Sequence, residues 1–490
     1  HMEMPEPTTT EAANRKWNPL HVVRAVLIWL ARSPLRAFII IFFLSSAAQS
    51  FYLMNTPEGR IRPRSLTGIE AIAASLAEHG EYADPYIIDT GPTAHVPPVL
   101  TGFLALTYRI FGLTLTAGYI TWIVGNACYS ALYAMLPWIA GRLGIGKQPG
   151  VIAGFAWAFV PRSPGHGEAL AALMLAVLLV ACVRRWHAPR LSAIGSFLLG
   201  MGWAVVFHVQ PALLPTMLGC MAFELWWSKD RRRWVFALIV VLGAALTCLP
   251  WAWRNYAAFG EVFFIRSNFG LELRMGNHDG ATADAEVMGE LKNYRHPSDN
   301  YGEARLVRDL GEMEYMRRVR AEAIDWIKAN PGEFTRLTAG RIVHFWCGPL
   351  RFPVVAAGVS ALTVLAALGL WYSRRIATIP QIAALIIPLL TFPLVYYITL
   401  YMFRYRLPVH WIILMLAAAA IWHWIGPSRI AHKLLSETPR GCILWGRRFR
   451  GRTFRRRLTS ERHMAMPEPT TTRPGDRRRN PLHVVRAVLT

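Results

Sequence analysis

Glu70 is the residue best placed to do chemistry. It opens the stretch Glu70-Ala71-Ile72-Ala73-Ala74-Ser75-Leu76, and Leu66, Ile69, Ile72, Ala73 and Leu76 recur around it at helical spacing. That pattern predicts an amphipathic helix with the carboxylate at the edge of its apolar stripe. Beside a bilayer surface such a group can accept a proton from a hydroxyl, provided burial does not neutralise it. The plainer alternative is a solvated surface glutamate.

Other polar groups cluster in short, turn-rich stretches. Asp84-Pro85-Tyr86 and Thr90-Gly91-Pro92-Thr93-Ala94-His95-Val96-Pro97-Pro98 read as a stiff segment able to hold Asp84 and His95 in fixed geometry, for binding or as a structural turn. Glu168 follows Arg162-Ser163-Pro164-Gly165-His166-Gly167 and opens an apolar run. An acidic residue there suits the helix dipole, or supplies a second site carboxylate. His166 and Glu168 are weak candidates to share a divalent ion, two ligands being few for a metal site. Arg254 and Asn255 are followed by Arg266, Asn268 and Glu272, beside a membrane exit rich in Trp and Tyr. Arginine forks suit phosphate oxygens, while the aromatics suit interfacial anchoring. Arg404-Tyr405-Arg406-Leu407-Pro408-Val409-His410 precedes the last apolar run, where arginines fit a phosphate partner or lipid headgroups.

No P-loop, dinucleotide fingerprint, HExxH or nucleophile elbow accompanies these residues. What must position them is a set of membrane helices. The 490-residue chain is 53% hydrophobic and 17% charged, against about 25% charged in ordinary globular proteins. Apolar runs approaching the roughly 20 residues of a spanning helix recur along it. They exclude a soluble multidomain enzyme, a disordered scaffold and a secreted disulfide-rich protein. The net charge of +23 sits largely in the C-terminal tail and in short loops. That distribution favours anionic lipid headgroups over nucleic acid. The six cysteines are scattered without metal-ligand spacing, and no structural disulfide is expected.

The expected architecture is an all-α polytopic membrane protein with about ten spanning helices. They fall near 35–54, 114–140, 149–161, 167–183, 191–207, 210–227, 233–252, 353–372, 379–400 and 409–425. Residues 1–34 form a basic amphipathic lead-in, 35–425 the membrane domain, and 426–490 a basic tail. Residues 463–490 nearly duplicate 1–28, including Met-Pro-Glu-Pro-Thr-Thr-Thr and Asn-Pro-Leu-His-Val-Val-Arg, and the second copy is set aside for the fold. Arg142 and Lys147, then Arg184, Arg185 and Arg190, then Lys229 and Arg231–Arg233, then Arg374 and Arg375 fall in alternate loops. The positive-inside rule makes that side cytoplasmic. Two long loops, 52–113 and 252–350, then face outward. The first holds the Glu70 helix and a short interfacial or re-entrant helix over 99–111. The second holds a polar helix over about 302–329 within a small cap.

In this order and on this face, the motifs resemble the GT-C superfamily of membrane glycosyltransferases. The similarity is strongest to bacterial relatives of the aminoarabinose transferase and the protein O-mannosyltransferases. It rests on the Glu70 stretch, Asp84-Pro85-Tyr86, residues 90–98, Trp253-Arg254-Asn255-Tyr256, the stretch 266–273, Gly276-Asn277 and Arg404-Tyr405-Arg406. The resemblance spans about 35–425 and implies a GT-C-like bundle in a cytoplasmic (inner) membrane with its active site facing the periplasm or exterior. It implies a sugar donor linked to polyprenyl phosphate, a lipid or glycan acceptor, membrane lipids as surroundings and no nucleic acid partner. It implies Glu70 as base toward the acceptor hydroxyl, Glu168 as a second catalytic carboxylate, and Arg254, Arg266 and Arg406 around the lipid phosphate. Asp84, His95, Asn255, Asn268, Glu272, Arg404 and Tyr405 complete the expected substrate site, and a divalent metal ion is left open. No tandem Asp-Glu ends the first helix, unlike the protein O-mannosyltransferases, which argues against a protein acceptor. Two alternatives stand beside this reading: an O-antigen ligase or polymerase, and a non-catalytic lipid-linked-sugar transporter.

Overall fold

Apolar runs interrupted by Pro, Gly and capping residues become helices, and the computed structural model describes residues 19–63, 67–161, 167–290 and 295–426. Helix α1 (Pro19–Arg32) ends one residue before α2 (Pro34–Met54). Between them Ser33 caps α2, its Oγ accepting the Arg36 amide at 3.3 Å. The first long loop folds into α3 (Glu58–Ile61), α4 (Gly68–Glu78) and α5 (Pro98–Phe111), the last stopped by Gly112 at φ +67°.

Then come α6 (Leu115–Arg142), α7 (Lys147–Ala158), α8 (Glu168–Trp186), α9 (Ala193–Phe207), α10 (Leu214–Trp227) and α11 (Arg233–Phe259). A cap follows, built from α12 (Phe269–Gly276), α13 (Ala285–Glu290), α14 (Tyr301–Leu310), α15 (Glu312–Ala329) and α16 (Pro331–Cys347). The chain returns to apolar helices in α17 (Pro353–Ser373), α18 (Ile379–Thr391), α19 (Leu394–Ile398) and α20 (Leu407–Ile425). Among the described residues the only β pairing is an isolated bridge, Ala83 to Pro92.

The protein is therefore an all-helical, polytopic membrane protein. Seven stretches are long and apolar enough to span: Pro34–Met54, Leu115–Arg142, Glu168–Trp186, Arg233–Phe259, Pro353–Ser373, Ile379–Ile398 and Phe403–Ile425. The other three expected runs are also helical, but α7, α9 and α10 have 12, 15 and 14 residues. At about 1.5 Å per residue none crosses a hydrocarbon core of about 30 Å alone. Gly146 at φ +100° sets the start of α7, and Pro211 and Pro215 bracket the turn into α10. The polar helix expected over 302–329 is two helices, broken where Gly311 takes φ +80°.

The core gathers around α20, which is buried continuously from Pro408 to Ala420. A helix apolar on every side belongs in the interior. Helix α17 lies close along it because Gly369 has no side chain; a Cβ there would run into the Leu416 carbonyl. Two smaller cores support the outer segments. Ala73, Ala74, Leu104, Tyr108 and Ala117 bind α4 and α5 to α6. Leu271, Met275, Val307, Tyr315, Met316 and Leu337 hold the cap together, with Tyr86 of the first loop packed among them.

Candidate active site

Two cavities adjoin α4 and α5. The first, of about 450 Å³, is lined by Glu168, Arg266, Asn268, Glu272, Arg404 and Tyr405 on its polar side, and by Pro97, Leu100, Leu214, Ile265, Phe269 and Val395 on its apolar side. Arg266 Nη2 stands 3.8 Å from Glu272 Oε1, and Arg404 Nε 3.9 Å from Glu168 Oε1. Hydrogen-bonded ion pairs close to about 2.7–2.9 Å, so these cations are neutralised in sum without being tightly engaged by their carboxylates. Asn268 donates through Nδ2 to Glu272 Oε1 at 3.0 Å, which holds that carboxylate in place. Glu168 Oε2 accepts the Gly167 amide at 3.2 Å, at the start of α8. The Tyr405 ring stacks on Tyr396 with centroids 4.9 Å apart, and the Arg404 guanidinium lies 5.6 Å from the Tyr405 ring. Charge above an apolar wall is the chemistry of a site for an anion on a hydrocarbon tail.

The second cavity, of about 510 Å³, contains Glu70 together with Arg60, Gln49, Tyr52, Tyr108 and Thr121. The two share Leu100, and Ile69 lines the first while Glu70 lines the second. Glu168 likewise faces the first cavity while Ala169 and Leu170 face the second. A helix turns about 100° per residue, so neighbours in sequence address different spaces. Glu70 therefore lines a different chamber from Arg266 and Arg404, and the two chambers adjoin.

Several expected substrate ligands are engaged in the scaffold instead. Arg254 donates from Nη1 to the Thr93 carbonyl and from Nη2 to the Tyr82 carbonyl, each at 2.6 Å. Turning it toward a lipid phosphate would leave the Thr93 carbonyl unpaired, while the Tyr82 carbonyl would keep the Thr93 amide at 3.0 Å. Asn255 is fully buried and donates to the Phe263 carbonyl at 3.0 Å. Asp84, at φ +59°, accepts the Thr90 and Gly91 amides through Oδ1 at 2.8 Å each, closing a structural turn. His95 is buried with Nδ1 3.2 Å from the Tyr86 hydroxyl, and its ring lies 5.7 Å from that of His296. Burial drives the His95 imidazole well below its usual range and brings His296 down to about 4, so both are neutral near pH 7. Arg406 lines neither cavity; it is buried at the end of the turn that leads into α20.

One residue went unread in the sequence. Glu312, at the start of α15, is buried and accepts from Thr93 Oγ1, from the Ala94 amide at 2.7 Å and from Ser267 Oγ at 2.5 Å. Burial pushes its carboxyl up, and those three donors oppose the rise. It ties the 90–98 turn and the Arg266 segment to the cap, and Ser267 N also donates to the Ala94 carbonyl at 3.0 Å. Nothing local marks it, since its partners lie over forty and over two hundred residues away in sequence. His166 lies outside the described residues. Among the described residues no group of three His, Cys, Asp or Glu comes together.

No family model and no curated protein matches the chain. Among solved structures it is similar to one described as ArnT from Cupriavidus metallidurans bound to undecaprenyl phosphate. The two are 12% identical, with a TM-score of 0.31, over 84% of this chain and 80% of that one.

Proposed function

We propose that this protein is a membrane glycosyltransferase of GT-C type, moving a sugar from a polyprenyl-phosphate donor to a hydroxyl of a lipid or glycan acceptor. The observation that carries the reading is the first cavity, where Arg266 and Arg404, loosely held by Glu272 and Glu168, stand over an apolar wall. Guanidinium forks suit phosphate oxygens and the wall suits an isoprenoid chain. The acceptor enters through the second cavity, past Glu70. Its oxygen bonds to the anomeric carbon as the bond from that carbon to the phosphate oxygen breaks. The electron pair leaves with the lipid phosphate, the acceptor proton passes to Glu70, and the configuration inverts. Arg266 and Arg404 meet the charge growing on the departing phosphate, and Glu168 orients Arg404. The clustering of basic residues in the loops of the sequence supports a site at the outer face of a cytoplasmic membrane, by the positive-inside rule.

The deciding experiment is Glu70→Gln in purified protein supplied with defined polyprenyl-linked sugars, with folding checked by thermal unfolding. Loss of a general base lowers turnover by about 10²–10⁴-fold, and that is the expected result. Because Glu70 has a chamber of its own, one other reading keeps support: a ligase- or polymerase-type transfer that works through the arginines without this carboxylate. Full activity of the variant selects it.

A further inference from the structure

Arg274, Arg341 and Arg406 are buried, and the Arg185 side chain is nearly so. Three of the four are held by several acceptors, although Arg274 Nε has no partner. Arg185 closes on both oxygens of Glu224, Arg274 pairs with Glu303 at 2.8 Å, and Arg341 is cradled by the Gly276 and Tyr397 carbonyls and Asn277 Oδ1. Arg406 differs. It is 2% exposed, yet its side chain makes one hydrogen bond, from Nη2 to Thr363 Oγ1 at 3.3 Å, while Nε and Nη1 have no partner. Among the described residues no Asp or Glu forms an ion pair with it.

The groups around it are unmatched in the same sense. His410 lies one helical turn further along α20, on the same face, and is buried with Nε2 unpartnered. Tyr401, just before the turn that leads into α20, is buried with its hydroxyl unpartnered. Burial pushes the Tyr401 hydroxyl up, and the Arg406 charge opposes that rise. Thr363 spends its own proton on the Trp346 carbonyl at 2.7 Å, and the His410 ring packs 4.4 Å from that of Trp157, closing the surroundings with aromatic groups. A guanidinium stays protonated in proteins, and an uncompensated buried charge costs several kcal/mol. Water satisfies hydrogen bonds but brings no counter-charge. An anion does both, and the enclosure limits it to a small one.

We propose that Arg406, Tyr401 and His410 form a closed site for a single halide ion, chloride under ordinary conditions, separate from both cavities. The ion accepts from Arg406 Nε–H and Nη1–H and from the Tyr401 hydroxyl, with His410 in its Nε2–H form as a further donor. It stabilises the junction of α16, α17 and α20 and takes no part in transfer chemistry.

The test uses the full-length purified protein in detergent. Thermal unfolding is followed while sodium chloride or bromide replaces sodium gluconate at constant ionic strength, and crystals grown in bromide are examined for anomalous scattering. A saturable rise in the unfolding midpoint is expected with chloride and bromide but not with gluconate, together with one bromide peak against the Arg406 guanidinium. Tyr401→Phe, which keeps the ring and its packing, should weaken the halide midpoint by about tenfold, one hydrogen bond to a charged acceptor. Arg406→Leu should remove the halide dependence altogether. Unfolding indifferent to halide in the wild-type protein, or bromide crystals with no peak at Arg406, would overturn the proposal in favour of internal water. Both readouts on the wild type stand even if the leucine variant fails to fold.

Discussion

The same ion-pair chemistry appears in two conditions in this protein. Between α8 and α10, Arg185 grips Glu224 through Nε and Nη2 at 2.6 and 2.8 Å, and Ser196 takes a third hydrogen bond at 2.8 Å. At the first cavity the corresponding distances are 3.8 and 3.9 Å, and the Arg404 side chain is 47% exposed against 9% for Arg185. The closed pair engages all three guanidinium nitrogens and serves the fold. In the proposed function the open pairs leave these cations near carboxylates with which an incoming phosphate would compete.

Breaking the closed pair should have the largest effect. Glu224→Ala leaves a buried guanidinium without its partner and should cost about 3–5 kcal/mol of stability, read as a lowered unfolding midpoint, with no change in lipid-phosphate binding. Replacing Arg185 and Glu224 together by Met and Leu should recover most of that loss, since a well-packed apolar pair often matches a buried ionic one.

Acid sharpens the contrast from another side, because His95 and His296 beneath the cap are buried without carrying charge. Their folded values lie below the unfolded value of about 6.5, so their contribution to stability is present above that pH and is lost as the pH falls toward about 4 for His296. Each should cost up to about 1.4 kcal/mol per pH unit in that window. Unfolding midpoints measured from pH 7 to 4.5 should fall, and His296→Gln should make the decline shallower.

At the open pairs the balance reverses. Arg266→Ala or Arg404→Ala should reduce the affinity for a polyprenyl phosphate by about 10–100-fold, the loss of one or two charge-assisted hydrogen bonds. Stability should change by less than about 1 kcal/mol, as for exposed ion pairs generally. A binding titration alongside thermal unfolding separates the two quantities, and a large stability loss would put Arg266 with the closed pairs. Glu272→Gln should have the smallest effect. With its competing charge removed, lipid-phosphate affinity should rise by about two- to fivefold, as Coulomb attraction at the cavity increases.

The apolar segments were legible because burial in a bilayer demands local properties: length, hydropathy, and Pro or Gly at the ends. All ten expected runs are helical, while the break at Gly311 is visible only in the backbone. Six residues of the first cavity, Glu168, Arg266, Asn268, Glu272, Arg404 and Tyr405, stand out in the sequence by type and by their place near helix ends. Arg254 and Asp84 carried the same signals, yet their side chains hold carbonyls and amides of the first loop. Residue type announces what a group can bind and is silent on whether the fold has already bound it.

Arg404 and Arg406 show where the sequence stops. Two positions apart, identical in chemistry, they flank the stacked Tyr405. Sequence alone determined that cations stand at the mouth of a wholly apolar helix, against the usual bias, and so need a partner. Only packing decided that one faces a cavity beside Glu168 while the other turns inward against α17. Helical rotation sends the two side chains in different directions, and what waits in each direction is supplied by segments far away in the chain.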